Sequence, residues 1–380
     1  MKNSSSGIIC IAFIILIIIN TIFSGINRSI YLASDAIIML LSLVLMLYIK
    51  KKNDARKKMF FIIILWIVHN LFLAFKDFTA VSFYIGFQHI SIIMYFFVMI
   101  HLLEEENNNK MFLMFFRLIH YAVLLFLVYQ TIFHKSGISQ YEHLIYIGLA
   151  TIIAIANRNK KINPIVLTAL CVFWAYVSYV ISARAQIFSF IIFMVSYFIL
   201  KQDKIKEKTG TKIFILYYSL INLFPLLYTY LSNSSYRTTL DNFALKYTTS
   251  RFFSGRDLLW SYIYERLVGV KEYIFGLGFN EIGVFVRENI SLHNLYVTLI
   301  AEGGLIMVIL FGLLLLEIWK ILFNKKSFMS RITMSFLIVI LYKQTFDISL
   351  IENNFYIALI IWTSIAIGMK GFVLKEDELK

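Results

Sequence analysis

Residues 304–323 read Gly-Leu-Ile-Met-Val-Ile-Leu-Phe-Gly-Leu-Leu-Leu-Leu-Glu-Ile-Trp-Lys-Ile-Leu-Phe, a run in which only Glu317 and Lys320 are charged. A helix of this length covers about 30 Å, the thickness of the hydrocarbon core of a bilayer. In that medium a helix keeps every backbone donor and acceptor paired. Working outward, similar apolar stretches fall near 8–23, 30–49, 59–75, 83–103, 111–133, 143–156, 164–181, 185–200, 213–231, 332–350 and 354–369. The 380 residues are 60% hydrophobic and 15% charged, against about 45–50% and about 25% in a soluble domain. The expected fold class is therefore all-α, a polytopic membrane protein with about 12 transmembrane helices and one long helical extracytoplasmic loop. Residues 1–380 then form a single integral membrane domain.

Charge placement gives an orientation. The formal charge is +14, and the basic residues gather on alternate connections. Lys50, Lys51, Lys52, Arg56, Lys57 and Lys58 make one cluster, Lys201, Lys204, Lys206, Lys208 and Lys212 another, and Lys325, Lys326 and Arg331 a third. The short connections between them hold only Arg28, Lys76, Lys135, Arg184 and Lys343. Because short basic loops stay on the cytoplasmic side, both termini are expected to be cytoplasmic. The net basicity is then topological, and a nucleic-acid partner is not expected.

Cys10 and Cys171 both sit in apolar runs with no thiol or histidine at metal spacing, so neither a disulfide framework nor a zinc site is expected. The run from Ile8 to Phe23 follows one lysine and lacks a small-residue cleavage site, which reads as a retained span rather than a signal peptide. Lys343 and Asp347, four apart in the stretch 332–350, are expected to pair along one helix.

The connection 232–293 breaks the pattern. It is far longer than the others, faces outward in this topology, and carries seven basic residues. Leu259, Ile263, Leu267 and Val270 at helical spacing predict an ordered helix on the membrane surface. Ser254-Gly255-Arg256-Asp257 reads as its start, with Ser254 as cap. A guanidinium beside free helix N–H groups suits an anion, and the alternative for Arg256 is snorkelling to lipid headgroups. Gly276-Leu277-Gly278 allows a tight turn or a close backbone approach. His293 falls at a second helix start, whose partial positive charge favours a neutral imidazole. Gly303-Gly304 predicts a kink, with Glu302 beside it either as a buried carboxylate orienting a neighbour or as a polar residue at the interface. Arg184 lies between two apolar runs on the same outer side and either snorkels or leans inward beneath the loop.

The order Ser182-x-Arg184, Ser254-Gly255-Arg256 with Trp260, Gly276-x-Gly278, His293-Asn294 and Glu302-Gly303 resembles the bacterial O-antigen polymerase and O-antigen ligase superfamily. The likeness covers roughly residues 165–325 in motifs, and the N-terminal half in hydropathy alone. It implies a glycan donor linked through pyrophosphate to undecaprenol, a glycan acceptor, and transfer at the outer face of the bacterial cytoplasmic membrane. A flippase and a chain-length regulator would be the partner proteins.

In that chemistry Arg256 and Arg184 stabilise the leaving diphosphate, and His293 deprotonates the acceptor hydroxyl. Asn294, Glu302 and Gly278 bind or orient. No cofactor and no metal are expected, since the outer side lacks an Asp-x-Asp pair, and the transfer inverts the anomeric carbon. High Phe, Tyr and Ile content favours a polymerase within the superfamily over a ligase acting on lipid A core. A lipid-linked oligosaccharide flippase or other transporter is the rival from another class, and a non-catalytic docking protein the third.

Overall fold

The computed structural model describes residues 54–103, 184–202, 205–247, 251–253, 255–287, 292–351 and 355–370, together with isolated positions between 12 and 45 and at 172. The expected apolar spans at 8–23, 111–133, 143–156 and 164–181, and most of the one at 30–49, lie outside the described residues. Among those described, every regular element is helical: α1 (Asp54–Asp77), α2 (Ala80–Leu102), α3 (Arg184–Lys201), α4 (Glu207–Ser232), α5 (Arg237–Tyr247), α6 (Arg256–Arg266), α7 (Val270–Phe275), α8 (Phe279–Arg287), α9 (Leu295–Lys325), α10 (Phe328–Lys343) and α11 (Phe355–Lys370). Four of them, α1, α2, α4 and α9, are long and apolar enough to cross a membrane, and α3 and α11 contain shorter apolar helices.

The central helix is α9, which contacts α1, α4, α10 and α11. α2 carries apolar residues all round and is buried along most of its length, as expected of a helix enclosed by others. In lipid, apolar contact alone gives little drive for helices to associate, so close packing and polar links matter more. The tyrosines supply such links. Tyr217, Tyr218 and Tyr296 donate their hydroxyls to the carbonyls of Ile338, Val308 and Leu341 at 2.8, 2.8 and 2.7 Å. Gly312 makes room for Tyr218, whose ring carbon would lie 2.6 Å from any Cβ there.

Between α4 and α9 the chain forms four short helices, α5 to α8, gathered at one end of the bundle. Asp77, at the end of α1, accepts the Asn280 N–H at 2.9 Å, and Tyr228 near the end of α4 donates to the Phe252 carbonyl at 3.1 Å. At the opposite end, Asn324 of α9 donates to Glu207 at the start of α4 at 3.1 Å. The basic clusters around Lys57, Lys208 and Lys325 belong to that opposite end.

Two local expectations change. The helix expected through Leu259 to Val270 breaks after Arg266: Ile263 and Leu267 are buried, whereas Val270 opens α7 and is 77% exposed. Val268-Gly269, a β-branched residue and a glycine, supply the poor helix formers at the break. Likewise α10 stops at Lys343, so Asp347 lies in the following turn and not on the same helix. There its carboxylate accepts the Ile348 N–H and the Ser349 hydroxyl.

Candidate functional site

α6 begins at Arg256, and the capping residue is Gly255 at φ +85°, in place of the expected Ser254. Asp257 is fully buried; one carboxylate oxygen accepts the Gly255 N–H at 3.1 Å and the other meets the Arg237 guanidinium at 3.1 Å. The positive end of α6 is thus matched by its own aspartate. Arg256 is half-buried and forms no ion pair among the described residues. One turn further, Trp260 is buried beneath Tyr228, ring centroids 5.1 Å apart. Its indole N–H donates to the carbonyl of Leu292 at 2.8 Å.

Leu292 immediately precedes His293, so this bond ties the helix bearing Arg256 to the turn bearing the histidine. His293 is half-buried and has φ +50°. Asn294 caps α9: its Oδ1 accepts the Tyr296 and Val297 N–H groups at 2.9 and 3.0 Å, while its Nδ2 donates to the Thr345 carbonyl at 2.9 Å. The Leu295 N–H reaches the carbonyls of Gln344 and Asp347. Asn294 therefore positions the His293 turn against the end of α10 through the backbone.

The two glycine motifs meet. Gly304 has φ +65° and ψ −162°, which breaks α9 where the kink is expected. The break withdraws partners from the carbonyls of the preceding turn, and a buried carbonyl needs another donor. Leu277 N–H donates to the Ala301 carbonyl at 2.6 Å and Gly278 N–H to the Glu302 carbonyl at 3.1 Å. His69 Nε2 lies 3.1 Å from the Gly303 carbonyl and serves as donor there. Gly278 thus acts through its backbone, at φ +102°. A Cβ on Gly276 would come within 2.5 Å of the Glu302 carbonyl oxygen, so the turn docks only as glycine.

Glu302 is fully buried and directs its carboxylate at His89 Nε2, 3.8 Å away. His89 Nδ1 lies 3.2 Å from Asn70 Oδ1, and Asn70 donates to the Trp66 carbonyl at 2.8 Å. Glu302 therefore meets a histidine of α2, a neighbour that lies far from it in sequence. His69, Asn70 and His89 escaped the sequence reading. The signal was present, since each is a polar side chain within a long apolar stretch, where ionisable groups mark function.

Arg184 is the first residue of α3, which packs on α10; its side chain lies outside the described residues. Antiparallel packing against α10 puts its backbone at the same end of the bundle as Lys343 and the short helices. Among the described residues no three His, Cys, Asp or Glu side chains are grouped to hold a metal ion. Comparison with protein-family models, with curated proteins and with solved structures finds no match to this chain.

Proposed function

We propose that the chain polymerises undecaprenyl-pyrophosphate-linked oligosaccharide repeat units into a surface polysaccharide, an O-antigen or capsule, at the outer face of the bacterial cytoplasmic membrane. The observation that carries the reading is the Trp260–Leu292 hydrogen bond, which links the Arg256 helix to the His293 turn at the end of the bundle opposite the basic clusters. In the reaction His293 takes the proton of the acceptor hydroxyl as its oxygen bonds to the anomeric carbon of the donor sugar. The bond from that carbon to the diphosphate oxygen breaks, with inversion and without a metal. Arg256, joined by Arg184, receives the negative charge of the departing diphosphate through paired N–H donors.

The test is electrophoresis of surface glycans from a deletion strain complemented with variants. His293→Asn is the informative choice, because asparagine tolerates the positive φ at this position while removing the base. His293→Asn and Arg256→Gln are expected to abolish long-chain product with the amount of membrane protein unchanged. Unchanged product in both variants would exclude the reading.

One observation favours the transport reading as a second: a broken helix with a buried carboxylate facing a buried histidine inside the bundle, as ion-coupled carriers arrange their sites. The two readings separate by where single repeat units accumulate in the deletion strain. A failed polymerase leaves them facing outward, and a failed flippase leaves them on the cytoplasmic side.

A further inference from the structure

The last turn of α1, the end of α6 and the start of α7 enclose an open cleft of about 390 Å³, within the size of small-ligand pockets, roughly 300–1,000 Å³. Its five charged residues are unequally compensated. Arg266 is held by Glu281 at 2.7 Å and by the Tyr262 hydroxyl at 3.1 Å, with its guanidinium over the Tyr262 ring. Glu272 folds back over the start of its own helix, so closely that a Cβ on Gly269 would overlap its carboxylate. Lys76 and Lys271 remain. Neither forms an ion pair among the described residues, and the Lys76 ammonium reaches only the Leu277 carbonyl, at 3.5 Å. Two ammonium groups thus share one cleft with no carboxylate dedicated to them.

The other side of the cleft is apolar. Phe72, one turn before Lys76, faces Phe275 across the opening with ring centroids 6.3 Å apart. Phe72 also belongs to a stripe of exposed side chains on the membrane-length helix α1, Phe61, Val68, Phe72 and Phe75, each more than half exposed. Beside Lys271 the α6–α7 corner exposes Val268 and Val270, at 83% and 77%. Uncompensated lysines above an aromatic stripe at the end of a span match the polarity of one molecule, a lipid with an anionic head and an apolar tail. Lysines at a membrane surface each favour acidic lipid, and an ammonium binds phosphate as a point charge.

We infer that this cleft binds the phosphate of an anionic membrane lipid, with Lys76 and Lys271 on the phosphate oxygens and the acyl chain along the α1 stripe past Phe72. The site is separate from the Trp260–Leu292 junction. It rests on α1 spanning the membrane and not on the glycosyl-transfer chemistry, so the two readings fail independently.

The full-length protein in detergent, titrated with phosphatidylglycerol or phosphatidylcholine and read by native mass spectrometry, tests it. The native chain is expected to hold phosphatidylglycerol about tenfold more tightly than phosphatidylcholine. Lys76→Gln with Lys271→Gln removes the preference, whereas Lys208→Gln with Lys212→Gln, the same charge loss at the opposite end, keeps it. An unchanged preference in the cleft variant, or its loss in the other, would overturn the assignment. Displacement of the bound lipid by millimolar inorganic phosphate would also overturn it, by giving the cleft to a free phosphate.

Discussion

Gly304 and Gly255 both have positive φ, and their replacement by alanine separates two costs that sequence alone merges. At Gly255 (φ +85°, ψ −13°) a Cβ would meet open space, so alanine bears only the left-handed backbone cost of about 1–2 kcal/mol. At Gly304 (φ +65°, ψ −162°) the backbone lies in a region open essentially to glycine, and a Cβ would stand 2.3 Å from the Ile274 carbonyl oxygen. Strain of roughly 1–3 kcal/mol is then joined by a clash between two segments of backbone, which cannot rotate away as a side chain could. Gly304→Ala is expected to lose at least about 3 kcal/mol and Gly255→Ala at most about 2 kcal/mol, compared by thermal unfolding of the purified variants. Equal losses would mean that the docking of the Gly276 turn on the α9 break contributes nothing. His293, at φ +50°, shows the same constraint in a residue with a side chain: the turn is bent so that the Leu292 carbonyl reaches Trp260.

At the scale of elements, the junction of α6 with α9 decides whether Arg256 and His293 work together. Trp260→Phe keeps an aromatic ring beneath Tyr228 and removes only the indole N–H that reaches Leu292. A buried carbonyl left without its donor costs about 1–3 kcal/mol. The larger effect is expected in function, because a shift near 1 Å in a reacting group lowers rates by about a hundredfold. The variant is expected to reach the membrane in native amount and to lose long-chain glycan by more than about tenfold. Full product from Trp260→Phe would separate the two residues. Part of this junction was legible in the sequence. Gly303-Gly304 marked the break in α9, and Asn294, ahead of Leu295, has the chemistry of a cap. The partner of Gly276-x-Gly278 was not legible, because what that turn satisfies is a set of carbonyls freed some twenty-five residues downstream. For the same reason Glu302 could not be assigned to His89: pairing across helices depends on packing, and periodicity describes one helix at a time. α6 is shorter than its apolar spacing predicts, because that spacing continues through Val270 while the backbone already turns before Gly269.

At the scale of the whole molecule, asymmetry between the two ends of the bundle carries both functional readings. One end holds the lysines around α1, α3, α4 and α9, where Glu207 meets Asn324. The other holds α5 to α8, with the buried Trp260–Leu292 junction, His293 and the exposed Lys271. Lysine-rich short connections favour the cytoplasmic side, and the proposed orientation therefore puts the short helices outside, where a lipid-linked glycan would be presented. Two single-cysteine chains test this, each with Cys10 and Cys171 replaced by alanine. Lys271→Cys places a thiol in α7 at an exposed position, and Lys208→Cys places one at an exposed position near the start of α4. In intact cells a membrane-impermeant maleimide is expected to label position 271 and to spare position 208 until the membrane is permeabilised. Reversed labelling would place Arg256 and His293 on the side of the nucleotide-sugar pool, where a glycan already flipped outward cannot reach them. The polymerase reading would fall with that result. The lipid-binding cleft would survive it, since anionic lipid is available on the cytoplasmic leaflet as well.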